Sequence, residues 1–479
     1  MASLVKQLYW CAPYPVKCWM ASLYARKWDA LRHGPHYDEV LEQIAERDRW
    51  TTERLLDYQT QRLGEMVRHA GRQVPYYRRL FAEVGLDPER FSGPEDLVRL
   101  PILGKNGARV HSVELIDERL DPRNLIVQHT SGTTGTPLDF YRDARQESTA
   151  FAFYDGRCRE QVGMRRRRNR SVNISGSIVT PVERRKPPFW VYNARWDQLN
   201  MSCYHMSEEH LGYYVEEMRR FGADFVEGYP STVYAVARFI VDHGLDPIPF
   251  QACFTTGETL FDFQREAIRR AFLCRTISQL GCGEMAIFAA ECEHGTLHLS
   301  PDYAFVEAVD RNGRRLPPGE QGSLVGTSLV NWVQPFIRYR IGDIGAPVVR
   351  ACPCGRPLPV LDHFEGRIEA VLIMRDGRWM GRLDAIFKGA SGFHEAQIIQ
   401  DDFERFRIRL VPAEEYREAD GQLLVDNLHN CIGHEVQIRL ELVDRIERAA
   451  SGKFPAVLCN LPEEIKRRGP DPELRLDVR

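Results

Sequence analysis

The chain has 479 residues, a net charge of −3 and 43% hydrophobic residues. That length exceeds one ordinary core and predicts two domains. The near-neutral charge points to no nucleic acid or other polyanionic partner, and no run of about 18 apolar residues marks a transmembrane helix. Twelve cysteines, mostly single, and an N-terminus without a sustained apolar region fit a reducing cytoplasm.

Residues 1–50 are aromatic and basic, with Tyr9, Trp10, Trp19, Tyr24 and Trp28. They read as an amphipathic helical cap on the main domain, with a membrane-surface role as the alternative. From Thr51 the spacing of Leu55, Leu56, Leu63, Met66, Val67 and Ala70 predicts a helix, which Pro75 should interrupt. The stretch from Arg142 to Val162 predicts another helix, and the run Arg165–Arg168 with Arg170 reads as a solvated loop. A strand is predicted at 171–177, strands running into turns at 225–231 and 252–258, and helices at 207–221, 232–242 and 261–272. This β-α-β-α order implies a largely parallel sheet covered by helices, with ligands at the carboxyl ends of its strands. Two turns, Gly228–Ser231 and Thr255–Glu258, fall there. The segment 367–479 alternates a 370–374/377–380 hairpin, strands at 406–411 and 436–441, and helical stretches, which is a small α+β unit. Phe189, Trp190, Tyr192, Trp196 and Tyr204 are candidates for an aryl pocket, with core packing as the alternative.

The stretch that organises the chain is Thr130-Ser131-Gly132-Thr133-Thr134-Gly135-Thr136-Pro137. It offers backbone N–H groups and hydroxyls with little bulk, which suits phosphate oxygens. Apolar strands flank it on both sides and it holds no lysine, so it is not a Walker A loop. A polar hairpin turn is the plain alternative. The loop resembles the phosphate loop of the adenylate-forming enzymes, the acyl-CoA synthetase and adenylation-domain superfamily. The resemblance is closest to the phenylacetate–CoA ligase and capsular-polysaccharide ligase branch, and it spans roughly Leu55 to Leu461.

Further segments support it in order. Tyr229-Pro230-Ser231 resembles the turn that shapes the acid pocket, and Thr256-Gly257-Glu258 the segment packed against adenine. Gln279-Leu280-Gly281-Cys282-Gly283-Glu284 resembles the aromatic-Gly-x-Thr-Glu segment, with Leu280 in place of the aromatic and Gly283 in place of the threonine. The resemblance gives Glu284 the magnesium that accompanies ATP, and gives the backbone at Gly281, Cys282 and Gly283 the adenylate. Asp343, in Arg340-Ile-Gly-Asp, takes the ribose hydroxyls, and a carboxylate suits them as an acceptor-only group. Arg367 would contact ribose or phosphate, and Glu369 or a neighbour would be the pivot between domains 1–366 and 367–479. Lys453, in Ser-Gly-Lys-Phe, resembles the terminal lysine that bridges the carboxylate and the α-phosphate.

Cys292, His298, Cys352 and Cys354 form a candidate structural Cys3His zinc site, with His294 as the competing imidazole and unligated cysteines as the alternative. What the resemblance implies is an ATP- and magnesium-dependent acid ligase. It would form an acyl-adenylate and pass the acyl group to coenzyme A, or alternatively to an amine or sugar. A zinc-bearing binding protein that keeps the fold without turnover is the reading from another class. Dimers are common in the branch.

Overall fold

The structure, a computed structural model, describes residues 8–129, 138–165, 168–181, 184–206, 208–367, 372–373, 379–380, 386, 390, 392–447, 455–462 and 465. The expected N-terminal cap is a pair of helices, α1 (Tyr14–Arg32) and α2 (Pro35–Arg47), each with proline in its first turn, where the missing N–H costs nothing. Helix α3 (Thr52–Gln73) opens on the Thr51 side chain, which accepts from Arg54 N. Proline ends it as expected: Val74 turns extended at φ −113° and ψ 112°, and α4 (Pro75–Val84) begins on Pro75. Gly85, left-handed at φ 66°, closes α4.

Twelve strands form the main sheet, in the order β11-β12-β13-β14-β10-β9-β8-β7-β6-β3-β5-β4. The central run is parallel: β5 (Gln198–Ser202), β3 (Ser171–Ser175), β6 (Phe225–Gly228), β7 (Ala252–Thr256) and β8 (Arg275–Gly281). Helices α7 (Pro230–Asp242) and α8 (Asp262–Phe272) supply the crossovers and α6 (Glu208–Phe221) joins them. These helices bury Tyr214, Met218, Val236 and Phe272 against Val172, Leu199 and Val226 of the sheet. β4 (Trp190–Asn193) closes one side. The other side is an antiparallel arm of β9 (Phe288–Glu291), β10 (Leu297–Leu299), β11 (Ala304–Val309), β12 (Gly322–Ser328), β13 (Tyr339–Val348) and β14 (Val360–Arg367). The α/β class thus holds, and this arm adds to the expected parallel sheet. Its strands follow short turns such as 282–287, and a short turn returns a chain only antiparallel.

A short hairpin, β1 (Ile126–His129) and β2 (Asp139–Arg142), stands apart from the main sheet. The C-terminal sheet has the order β19-β18-β17-β20, from β17 (Phe393–Gln400), β18 (Arg405–Pro412), β19 (Gln437–Leu442) and β20 (Val457–Cys459). Helix α9 (Glu418–Ile432) covers it, burying Leu424 and Leu428 with Ile398, Phe406 and Leu410. The expected hairpin before it is β15 (Leu372–Ile373) paired with β16 (Trp379–Met380). No described helix is long and apolar enough to cross a membrane.

The helix expected over 142–162 is in three parts. Asp143 and Gln146 cap each other reciprocally at the start of α5 (Ala144–Tyr154). A π turn over Asp155–Arg159 and a 3-10 turn over Glu160–Val162 then complete the stretch. The wide turn carries Arg157 and Arg159 inward. Arg157 Nη2 reaches Asp302 Oδ2 at 3.1 Å, and Arg159 donates to both Asp155 and Glu227. Tyr37 Oη donates to Asp155 Oδ2 at 2.7 Å, which ties α2 to the same network, and Gln198 Nε2 donates to Glu227 Oε1 at 2.7 Å. Arg165, Arg168 and Arg170 are exposed, as a solvated loop requires. Arg159 is 2% exposed, so Arg159→Ala leaves two buried carboxylates without their cation. The expected cost is about 3–5 kcal/mol, read as a lower denaturation midpoint, while exposed Arg165→Ala stays within about 0.5 kcal/mol of the parent.

Candidate functional site at the carboxyl ends of the parallel strands

Strands β6, β7 and β8 run parallel in register, with Gly228 opposite Thr255 and Thr256 opposite Gln279. Their carboxyl ends therefore bring the turns 228–231, 255–258 and 281–284 to one edge of the sheet. Gly228 has no room for a side chain: a Cβ there would stand 2.5 Å from Ile174 O. Gly257 is left-handed at φ 83°, so its turn requires glycine. The turns are tied to one another. Ser231 N and Oγ donate to the two Glu258 oxygens at 3.0 and 3.1 Å. Glu258 thereby supplies the N-terminal cap of α7, a favourable place for a carboxylate. Gln279 Nε2 donates to Thr256 Oγ1 at 3.1 Å. Gly257 and Gly281 expose their backbone at this edge.

Glu284 is 5% exposed and its Oε1 accepts from Tyr339 Oη at 2.7 Å. Among the described residues its second oxygen has no partner, and an oxygen donor of this kind suits a hard cation such as magnesium. Tyr339 lies in the Arg-Tyr-Arg run, yet its hydroxyl partner was invisible in the sequence. Cys282 stands in the field of both Glu284 and Asp343. Burial, then the charge of Glu284 and, more weakly, that of Asp343, pushes its thiol well above the usual range, which unfits it as a nucleophile. Asp343 is buried on β13, directly across from Arg367 on β14.

Hairpin β1/β2 docks on the 281–284 turn. Arg142 donates to Gly283 O and pairs with Glu147 at 3.3 Å, and Tyr141 N donates to Gln334 Oε1 at 3.0 Å. A Cβ on Gly283 would collide with the Phe140 ring, lying 2.7 Å from Cε1. Glycine at 283, where the superfamily has threonine, thus has a local cause: the Phe140 ring occupies that space.

The loop of Thr130, Ser131, Gly132, Thr133, Thr134, Gly135 and Thr136 lies outside the described residues, as do Glu369 and Lys453. Arg367 is described only in its backbone. The described chain on either side of the 130–137 segment is hairpin β1/β2. Most aromatic candidates pack or bond away from these turns: Phe189 is fully buried in the core, Trp196 Nε1 donates to Asp29 and Tyr192 to Asp197, whereas Tyr204, which donates to Gly176 O, lies beside Tyr229. Core packing and local bonding therefore account for Phe189, Tyr192 and Trp196.

The sequence reading missed the contacts between the two sheets. Phe261 at the start of α8 is buried in the C-terminal core with Phe393 and Ile398, and Arg238 of α7 meets His394 of β17. A cavity of about 200 Å³ lies between them, lined by Ser231, Tyr234, Arg238, Phe261, Phe393 and His394. Ser231 thus belongs both to this cavity and to the turn held by Glu258. Phe261 is the N-cap of α8, at the edge of the helix expected over 261–272, and nothing in its spacing pointed to the C-terminal core.

The cysteine–histidine set converges. The ligand atoms of Cys292, His298, Cys352 and Cys354 lie within 4.8 Å of one another. Cys292 Sγ and Cys352 Sγ are 3.8 Å apart, and Cys354 Sγ is 3.3 Å from His298 Nε2. A tetrahedron with Zn–S bonds of about 2.3 Å has edges of about 3.8 Å, so the thiol pair fits a zinc ion. His298 Nδ1 faces Leu358 O at 3.1 Å, which leaves Nε2 turned to the thiols as a metal ligand needs. His294 is exposed and only its backbone N–H reaches Cys292 Sγ, at 3.4 Å.

Restoring threonine at 283 tests the packing of the hairpin. Gly283→Thr is expected to lower stability by about 1–3 kcal/mol through overpacking against Phe140. In a Phe140→Ala background the same change should cost markedly less, and a double-mutant cycle of melting curves measures the difference. Additive losses would mean that the ring and residue 283 do not compete for one space.

Comparison with known proteins agrees with this architecture. The family model described as the CapK C-terminal domain matches residues 372–460. Protein CapK of Staphylococcus aureus is 26% identical over 96% of this chain and 100% of its own length. A phenylacetate–coenzyme A ligase of Thermus thermophilus is 26% identical over 67% of this chain and 72% of its own. Among solved structures, 2-hydroxyisobutyryl-CoA ligase in the postadenylation state with 2-HIB-AMP superposes with a TM-score of 0.67 at 22% identity, covering 88% of this chain and 91% of that one. The chain is a homologue of Protein CapK and of the phenylacetate–coenzyme A ligases, built on the fold of the adenylate-forming CoA ligases.

Proposed function

We propose that the protein is an ATP-dependent carboxylic acid ligase that forms an acyl-adenylate and passes the acyl group to coenzyme A. The observation that carries this is the convergence of the 228–231, 255–258 and 281–284 turns at one sheet edge, with Glu284 accepting from Tyr339 at 2.7 Å and hairpin β1/β2 docked on Gly283. In the first step a carboxylate oxygen bonds to the α-phosphorus of ATP and the bond to pyrophosphate breaks. In the second the acceptor sulfur takes the acyl carbon and AMP leaves. The carboxylate is already ionised near neutral pH, so the first step needs no general base.

Charge builds on the α-phosphate, and groups aimed at it lower the barrier. The Thr130–Thr136 loop would hold the phosphates, Asp343 the ribose and Arg367 the ribose or phosphate. Gly257, Glu258 and the backbone of 281–283 would border the adenylate, and Tyr229, Pro230 and Ser231 the acid. Glu284 would hold magnesium, which offsets phosphate charge when bound. Lys453 would bridge the carboxylate and the α-phosphate. The C-terminal unit, 367–479, would turn about the 367–369 segment between steps, since one small unit must serve both half-reactions.

A second reading concerns the acceptor alone. Protein CapK aligns with 96% of this chain and the phenylacetate ligase with 67%, while residues 372–460 match the CapK C-terminal domain. The unit that would shape the acceptor side is thus similar to that of Protein CapK, so an amine or sugar stands as the alternative to the thiol. Pyrophosphate release with a panel of aryl and aliphatic acids, with and without coenzyme A, separates the readings. Acid-dependent release that coenzyme A does not stimulate supports the amine or sugar; no release with any acid sinks both.

Lys453→Ala is expected to slow adenylate formation by about 10²–10³, with acyl transfer from a supplied adenylate retained. Equal loss of both half-reactions counts against the assigned role. We further propose that Cys292, His298, Cys352 and Cys354 hold one structural zinc ion, which stiffens the turns before β10 and β14. Elemental analysis should find about one equivalent per chain. Cys352→Ser/Cys354→Ser and His298→Ala should lose it and His294→Ala should keep it, whereas metal-free parent protein would refute the site.

A further inference from the structure

Helix α1 is inverted. A surface helix ordinarily turns its apolar stripe to the core and its charges to water. The inner side of α1 is instead polar. Asp29, fully buried, accepts from Trp196 Nε1 and pairs with His33, both at 3.0 Å. Arg32 Nε donates to Glu147 at 2.9 Å, and Ser22 Oγ accepts from Ala194 N at 3.0 Å. These bonds fix which side faces the protein. The outer side carries Val16, Trp19, Leu23 and Tyr24, which are 43, 63, 39 and 64% exposed. Their three-to-four-residue spacing makes one stripe. Arg26 and Lys27 are exposed with them, and the helix's single acidic residue is the buried Asp29.

A second segment adjoins this face. Tyr9 Oη donates to Val179 O at 2.9 Å. Burial first, then the Arg184 charge, holds the Lys17 ammonium below its usual range, so the Arg184 segment lies beside the first turns of α1. That segment adds Ile178, 48% exposed, and the exposed Arg185 and Lys186. Among the described residues, Arg26, Lys27, Arg185 and Lys186 form no ion pair.

We infer that this face docks on the surface of an anionic lipid bilayer. Aromatic and aliphatic side chains enter the headgroup boundary, and unpaired cations around them meet anionic headgroups. A second copy of the chain fits less well, because a two-fold contact would set Arg26 and Lys27 against the same charges. An apolar stripe of this kind is uncommon on a monomer with nothing to cover it.

Sedimentation of the full-length protein with sucrose-loaded vesicles tests this, and since no turnover is read, a failed ligase reading leaves the result intact. With phosphatidylcholine containing about a quarter phosphatidylglycerol the protein should pellet. With phosphatidylcholine alone, or at high salt, it should pellet at least about tenfold less. Trp19→Glu/Leu23→Glu and, separately, Arg185→Ala/Lys186→Ala should each lower pelleting about tenfold with unchanged melting temperature. Parent protein left in the supernatant with anionic vesicles overturns the inference. So does pelleting of both variants at the parent's level, or a dimer that Trp19→Glu/Leu23→Glu dissolves without any vesicle binding.

Discussion

The parallel register of β6, β7 and β8 is the constraint on which the site depends. Because Gly228 pairs with Thr255 and Thr256 with Gln279, three turns far apart in the chain end on one edge. Hydrogen bonds then lock them: Ser231 to Glu258, Gln279 to Thr256. The Glu258 carboxylate serves two purposes there. It caps α7, and it couples the turn that resembles an acid pocket to the one that resembles an adenine wall. A shift of one residue in any of these strands would turn its side chains to the other face and separate the turns.

Around that edge the molecule has adjusted its own departures from the superfamily pattern. The 281–284 turn carries glycine at 283, and Phe140 fills the volume a larger residue would need. Arg142 holds the same turn by its carbonyl while pairing with Glu147 of α5. Hairpin β1/β2 is therefore seated by packing and by a charged hydrogen bond. Tyr339, from the antiparallel arm, completes the arrangement by orienting Glu284. The arm that looks peripheral in the topology thus reaches into the site.

Helix α1 contributes polar anchoring where a core face is usual, and α2 adds polar anchors to the core face of Tyr37, Val40 and Ile44. Asp29, Arg32, Tyr37 and Arg47 reach into α5, the π turn, the segment after β4 and Asp302 near β11. Buried pairs of this kind contribute little net stability but specify one geometry, since a misplaced partner leaves a charge stranded. They hold α1 with its apolar stripe outward.

Much was legible in the sequence because it rests on local chemistry. Pro75 stopped a helix, hydrophobic spacing marked the parallel strands and their crossovers, and the carboxyl-end turns could be placed from the β-α-β order alone. The cysteine–histidine set was legible as a candidate because thiols and imidazoles are sparse. Choosing between His294 and His298 needed the fold: β10 turns His298 inward to 3.3 Å from Cys354 while His294 stays exposed. The Tyr339–Glu284 bond, the Phe140–Gly283 fit, the π turn that buries Arg157 and Arg159, and the burial of Phe261 in the C-terminal core were decided by tertiary structure alone. Each joins residues whose separation in sequence carries no periodic or turn signal. Local propensity sets which elements form, but only the packed sheet determines which side chains share a volume.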